Sequence, residues 1–521
     1  MAIRQGRTKR AIVLVVYVSV ILLLLFNIGL LPGSRSFYSE RPFTQSPRAS
    51  QVSEPTEKDK DDPSSCRTTD TRLLELQRRH ELQETFQYAR RLMCITRNQE
   101  FQRASITKLS QRLLKQDFQV IRNTRQPKPK RISCPEAIDI PVSASPFPQN
   151  VDASDFTFAV STTYERFVES ATILLNDWSF WLTNGSGRSN GAKFIVMLLD
   201  ASQEELELAK LFLTKAGIDV DTYSSNSDLP MAARNMALIP TMYFHPDAIR
   251  KKWLVVCDDD TFFPNMHALI EKLQNYDHST EMYIGALSED SLAVQKHGSQ
   301  AFGGAGVFLS VPMAKKIADH FDECASERKV EEANSQGDRL LRQCIQRHSD
   351  IQLTVLQDLW QLDTFGDPSG FYEWGTKPLS IHHYRSWHSV NPSDLTKIAY
   401  VCGEDCTLQR FQTFDNFIIS GYSIAQYPGG ITFDTKQVEK TFRAENDTDS
   451  NFDYKMGPQR ASLAKTGKKL AWEMKEATIQ EDGRVLQTYI RRANDTRWVD
   501  QDLQPLNDYD SVIELLWTPN K

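Results

Sequence analysis

The chain has 521 residues, 25% of them charged, and a formal net charge of −6 at neutral pH. That length is far more than one hydrophobic core needs. The acidic balance argues against a nucleic-acid binder, which carries a basic excess.

Residues 1–10 hold Arg4, Arg7, Lys9 and Arg10, and residues 11–31, AIVLVVYVSVILLLLFNIGLL, form an apolar run without a charge. The run is long enough to span a hydrocarbon core of about 30 Å. A signal peptide has a shorter apolar stretch and a small-residue cleavage site, and the PGSRS next to this run is a poor one. The basic flank keeps the short tail cytosolic. The expected topology is a single-pass type II signal anchor, with everything after residue 32 facing a lumen or the outside. In such an oxidising compartment the eight cysteines should mostly pair. Cys324 with Cys344 would close a short loop, worth roughly 3 kcal/mol in the chain-entropy model. Cys402 and Cys406 pair if the turn between them is tight. A metal reading of that C-x3-C is weaker, because no second Cys/His pair lies nearby at zinc-ligand spacing. Glycosylation sequons at Asn184, Asn446 and Asn494 fit the same topology.

Residues 32–150 read as a lumenal stem. Residues 33 to about 68, rich in Ser, Pro, Arg and acids, read as flexible. From Thr71 to Leu114 the pattern is helical, with an approximate stripe of Leu73, Leu76, Leu82, Phe86 and Tyr88. Such a helix packs on itself or on the next domain. A coiled coil making a homodimer through the stem is the alternative, although the heptads are not clean. TRQPKPKRISCPE is a second linker.

Residues 151–390 change rhythm. DFTFAVST, AKFIVMLLD, IDVDTYS and WLVVC read as strands, and amphipathic helices stand between them. Alternating strands and helices predict an α/β layered domain with a mainly parallel sheet. Ligands of such sheets sit beyond the carboxyl ends of the strands. Residues 391–521 have a weaker pattern and read as a C-terminal extension packed on that domain.

Asp258, Asp259 and Asp260 stand at one of those strand ends. Three adjacent carboxylates repel one another, so the arrangement needs a reason. Hard carboxylate oxygens suit Mg²⁺ or Mn²⁺ shared with a diphosphate. A second reading makes Asp258 a nucleophile and Asp260 its acid, as in D-x-D phosphatases. That motif continues with Gly and then Thr or Val, which Thr261 and Phe262 do not match, and the strand comes too late in the chain. The bland alternative is a solvated acidic turn capping the helix that starts near Asn265.

The neighbouring segments decide between them. YIGALSED, HGSQAFGGAGVFLSVPMAKKI, QGDRLLRQCI and GDPSGFYEWGTKPLSIHHY come after the aspartates in that order. With FAVSTTYERFVESATILLNDW before them and CTLQRFQTFDNFIISGYSIAQY after, the series resembles glycosyltransferase family 31, the Fringe-like β1,3-glycosyltransferases, and especially its plant and fungal Fringe-related branch. The resemblance covers roughly residues 155–427. It implies a GT-A fold, a UDP-sugar donor, a glycan or glycoprotein acceptor, Mn²⁺ or another divalent cation, inversion at the anomeric carbon and a Golgi membrane location. Carried over by motif, Asp260 is the metal ligand, and Asp258 and Asp259 face the ribose and diphosphate. Thr162 and Thr163 border the nucleotide. Gly303, Gly304, Ala305 and Gly306 line the sugar pocket, where absent side chains let backbone approach the ligand. Asp338 is the base that takes the acceptor hydroxyl's proton. Many members have two acids there, and this chain has Gly337 in the first place. PLSIHHY supplies a histidine ligand. Side chains alternate along a strand, so only one of His382 and His383 should reach the site, and the family pattern selects His382. A membrane-anchored, catalytically degenerate binding protein of the same fold is the competing function, supported by the missing acid.

The topology is testable. Protease added to sealed microsomes should leave the chain beyond about residue 33 intact, and glycosidase should increase its mobility on a gel. A cytosolic, unglycosylated C-terminus would contradict the lumenal assignment.

Overall fold

The computed structural model describes residues 68–114, 118–122, 136–363, 365–440, 459–463, 466–497, 499–500, 502, 504 and 508–519. The expected anchor at 11–31, nearly all of the flexible stretch, Cys66, Cys134 and the Asn446 sequon lie outside them. Among the described residues no helix is long and apolar enough to cross a membrane.

The α/β layered domain forms as expected. Its seven-stranded sheet runs in the order Thr354–Val355, Tyr283–Gly285, Val307–Ser310, Trp253–Val256, Phe156–Thr163, Lys193–Leu199 and Val220–Ser225. Val307–Ser310 is antiparallel to both of its neighbours, and the other pairs are parallel. The central strands are continuous apolar runs because both faces are covered. Phe158 faces a core with Trp181, Phe194 and Phe263. Its neighbour Ala159 faces the opposite layer with Ile195, Met236, Leu254 and Leu340. Helix Gln203–Lys215 starts on a capping box made by Ser202 and Glu205. The expected disulfides Cys324–Cys344 and Cys402–Cys406 are both formed.

The stem reading needs correction. Within the expected helix at 71–114, all of it described, only the stretch up to Arg79 of helix Asp70–Arg79 is helical. Thr85–Asn98 is a long strand, buried at Phe86, Tyr88, Met93 and Ile95. It pairs in parallel with Ser511–Pro519, from Gln87 opposite Ser511 to Ile95 opposite Pro519. A ten-stranded sheet grows around that pair, taking Ile138–Ser143 on one side and Val485–Arg491, Leu470–Ile479 and Ser423–Gln426 on the other. The extension at 391–521 and much of the supposed stem therefore build one body. Helix-forming Arg, Leu and Gln residues make the segment look helical, and long-range pairing overrides that weak preference.

The two bodies are joined by buried polar contacts. The Arg103 guanidinium donates to the carbonyls of Asp405, Gly375 and Thr376 at 2.7, 2.8 and 2.9 Å. Lys469, fully buried, pairs with Glu373 at 3.1 Å and Glu439 at 2.9 Å. Within the second body, Arg72 of the short helix reaches Glu514 at 2.8 Å and Glu476 at 2.7 Å. Glu514 is fully buried and also accepts from Tyr88 Oη at 2.5 Å.

Removing Arg72 would leave the buried Glu514 carboxylate, among the described residues, with only the longer cationic contact to Arg90, at 3.7 Å. Arg72→Met should lower stability to denaturant by about 3 kcal/mol, the lower end for breaking a buried pair. A urea titration of the purified protein measures it.

Candidate active site

The aspartate turn sits at the carboxyl end of Trp253–Val256. The Asp258 amide donates to Thr261 Oγ1 at 3.0 Å, and the Thr261 amide donates to the Asp258 carbonyl at 3.1 Å. Phe262 then pairs with Ile381 in both directions, at 2.9 and 2.8 Å. This one bridge brings two sequence-distant motifs together. Asp260 lies two residues before it, and His382 and His383 come directly after it. The capping alternative is met by another residue, since Asn265 Oδ1 accepts from the Ala268 amide at 2.8 Å.

The three acids have different fates. Asp259 is buried, and its carboxylate is taken by Arg166, at 2.6 Å on each oxygen, and by Thr162 Oγ1 at 2.6 Å. It braces the site more than it offers free oxygens. Thr163 caps the helix Tyr164–Glu169 by accepting from the Arg166 amide. Asp258 is half-exposed. Asp260 points at both histidines.

Strand alternation does not hold here. The strand ends at Ile381, and His383 adopts a left-handed φ of 51°. That turn brings both rings to Asp260. His382 Nε2 lies 3.1 Å from Asp260 Oδ1 and 3.4 Å from Asp258 Oδ2. His383 Nδ1 lies 3.8 Å from Asp260 Oδ2, beyond hydrogen-bond reach. The expectation that only His382 could reach the site is therefore corrected.

His382 is oriented from behind. Its Nδ1 sits 3.0 Å from the Gln361 carbonyl and donates to it, which leaves Nε2 facing the acids. Glu289 holds that carbonyl's turn by accepting from the Gln361 and Leu362 amides at 3.0 and 2.7 Å. Gly304 lies under the ring: a Cβ there would come within 2.2 Å of His382 Cε1. A side chain at this position would displace the histidine. Ala305 is likewise fully buried in the core, which corrects its placement in a sugar pocket. Gly306 has a φ of 92°, and its neighbours are Phe308 and Phe263. Gly303 alone of the four faces the acids, and its amide donates to Asp338 Oδ1 at 3.1 Å.

Asp338 is in the first turn of the helix Gly337–His348 and turns away from that helix toward Gly303. A Cβ on the same glycine would meet Asp338 Oδ1 at 3.0 Å and Asp258 Oδ1 at 3.8 Å, so both acids border it. Burial, and then the Asp258 charge, push the Asp338 pKa up to about 7. Burial alone would lower the His382 pKa, but Asp258 and Asp260 push it up to about 10. Burial opposes ionisation of Asp260, yet both imidazoles hold it well below the usual carboxylate range. The geometry thus gathers negative charge around a place that calls for a cation.

The donor set fits a divalent metal. One ligand atom each from Asp260, His382 and His383 lie within 4.8 Å of one another. His383 Nδ1 is buried with no hydrogen-bond partner among the described residues. The carboxylate suits Mn²⁺ and the imidazoles suit Zn²⁺ or Fe²⁺, so the set takes a divalent cation without selecting one. Arg166, Glu289 and Asp363, which lies 3.5 Å from His383 Nε2, were not found from sequence. A basic residue in the first turn after a strand is a signal for Arg166, and nothing local marks the other two. Of the described sequons, Asn494 is exposed and Asn184 half-buried.

Residues 213–393 match the Fringe-like family model. A lunatic fringe β1,3-N-acetylglucosaminyltransferase from Danio rerio is 26% identical over 188 residues, 33% of this chain and 45% of that protein. A radical fringe β1,3-N-acetylglucosaminyltransferase from Xenopus laevis is 35% identical over 79 residues, 13% of this chain and 23% of that protein. The chain thus spans less than half the length of these relatives. Among solved structures, a galactosyltransferase LgtC with donor and acceptor sugar analogs superposes with a TM-score of 0.30 at 13% identity, over 43% of this chain and 86% of that one.

Calorimetric titration of the protein with Mn²⁺ alone tests the centre. Asp260→Ala should abolish binding. His382→Ala and His383→Ala should each weaken it by at least the roughly 10–100-fold that loss of an outer partner costs. Unchanged affinity in His383→Ala would remove that ring from the ligand set.

Proposed function

We propose, from the match of residues 213–393 to the Fringe-like family model, that the chain is a Fringe-like, metal-dependent, inverting glycosyltransferase of GT-A fold. Its donor is a UDP-sugar and its acceptor a glycan or glycoprotein. The apolar run at 11–31 supports a type II anchor with the catalytic domain in the Golgi lumen. The observation that carries the reading is the convergence, around Gly303 and Gly304, of Asp258, Asp260, His382 and Asp338.

The residues divide the work. Asp260, His382 and His383 would hold the cation, which when bound offsets the charge that gathers on the nucleotide diphosphate as the donor's glycosidic bond breaks. Arg166, half-exposed at the mouth of the site and tied to Asp259, fixes the first wall. Asp338 serves as the base. Gly303 holds one of its oxygens, and the other can take the acceptor hydroxyl's proton as the new bond forms. Inversion in one displacement requires one such base on the acceptor side. A pKa near 7 suits it, because a base is most effective when its pKa lies near the working pH. Gly337 leaves Asp338 as the carboxylate at this position.

Asp338→Asn keeps the shape and cannot take the proton. UDP and Mn²⁺ affinities should stay near wild type, while turnover falls by about 10²–10⁴. The wild-type rate should rise with pH as Asp338 loses its proton, level off above that titration, and lose this limb in the variant. Transfer rate across donors and pH, measured beside nucleotide affinity, checks both. Unchanged turnover in the variant would remove Asp338 from the mechanism. A wild type that binds UDP and never transfers would favour a binding protein.

A further inference from the structure

A cleft of about 900 Å³ opens where the two bodies meet. One wall comes from Phe365, Asp367 and Ser389 of the α/β body, and the facing wall from Tyr422, Glu473 and Arg497 of the second body. Clefts between bodies are common ligand sites.

A series of packed rings lies between the cleft and the candidate active site. His382 and His383 are 3.6 Å apart between ring centres, His383 and Trp387 3.7 Å, and Trp387 and Phe365 4.2 Å. Phe365 ends this series at the cleft, 65% exposed. An exposed aromatic ring already fixed by stacking gives an apolar face that loses little entropy on binding.

The charges of the cleft indicate what it receives. Lys475 is paired with Glu473 at 2.6 Å. Arg497 is paired with Glu473 and, at 2.7 Å, with Asp495. The cations lining the cleft are therefore already neutralised, which disfavours a phosphate or another anion. Asp367 differs. Its Oδ1 accepts from the Ser369 amide at 2.9 Å, and its Oδ2 has no hydrogen-bond partner among the described residues. A buried acceptor without a donor is costly, and a turn of this side chain toward the cleft would let a ligand hydroxyl satisfy it. An apolar ring face beside a carboxylate that needs hydroxyl donors matches a neutral sugar, with its C–H face and its rim of hydroxyls.

We propose that this cleft binds the acceptor as a neutral oligosaccharide, with Phe365 under one sugar ring and Asp367 accepting from its hydroxyls. The assignment rests on the transferase reading of the neighbouring site and names the acceptor class for it. The ring series spans more than one sugar, so the cleft holds units beyond the one that receives the new bond. The second body supplies one wall of the specificity site.

The test uses the detergent-solubilised full chain on an array of neutral mannan, β-glucan and galactan fragments, two to four sugars long, beside sulfated and sialylated glycans. Mn²⁺-dependent UDP binding is measured in parallel. Wild type should retain a neutral oligosaccharide. Phe365→Ala and Asp367→Asn should each weaken that retention by about tenfold or more, near 1.4 kcal/mol, with UDP affinity unchanged. Retention of the two variants equal to wild type, retention of anionic glycans alone, or no retention by a protein that binds UDP would each overturn the proposal. Variant-sensitive glycan retention by a protein that binds no nucleotide would instead sink the transferase reading and leave the cleft standing.

Discussion

The imidazole of His382 occupies space that a side chain at position 304 would need. Much of the site depends on that contact. The ring can lie so deep only because Gly304 has no Cβ, and it can face Asp258 and Asp260 only because the Gln361 carbonyl holds its other nitrogen. The Phe262–Ile381 bridge sets the level at which acids and histidines meet. Each part is ordinary. Together they leave the ring one position, and that position puts Nε2 against two carboxylates.

The electrostatics come from that crowding. Asp258, Asp260, Asp338 and Asp363 all lie near the two imidazoles, and burial in that space raises the cost of holding a carboxylate ionised without a partner. The protein handles the excess unevenly. Asp259 is neutralised by a two-pronged contact with Arg166. Asp260 is stabilised as an anion by the imidazoles. Asp338, buried and with Asp258 nearby, has its proton affinity raised despite the amide of Gly303. Acids close together thus acquire opposite tendencies, one to hold a cation and one to exchange a proton, the usual way a site assigns roles to chemically identical groups.

The second body ties together parts of the chain far apart in sequence. Thr85–Asn98 lies beside Ser511–Pro519, and helix Asp70–Arg79 is clamped on that sheet through Arg72. Arg103 and Lys469 fasten this body to the α/β body through buried contacts. Such contacts make poor stabilisers relative to apolar packing, but they define one arrangement. The wall that the second body lends to the cleft therefore stands in a fixed place relative to His383 and Trp387.

The α/β class, the strand that carries the aspartates and the two disulfides were legible in the sequence, whereas Asp338 and His382 were singled out only by the family resemblance. Those features are local: apolar runs, turn residues, cysteine spacing and motif order reflect the conformation of short segments. Three things depended on tertiary structure. The segment 85–98 became a strand because its partner lies more than four hundred residues away, and single-segment propensity is weaker than a paired, buried ladder. His383 entered the site because its left-handed backbone broke the alternation that a longer strand would have enforced. Gly304 and Asp259 received their roles from His382 and Arg166, each distant in sequence. Periodicity shows which face of an element is buried, but which side chain lies on the other side of that face is decided only when the elements pack.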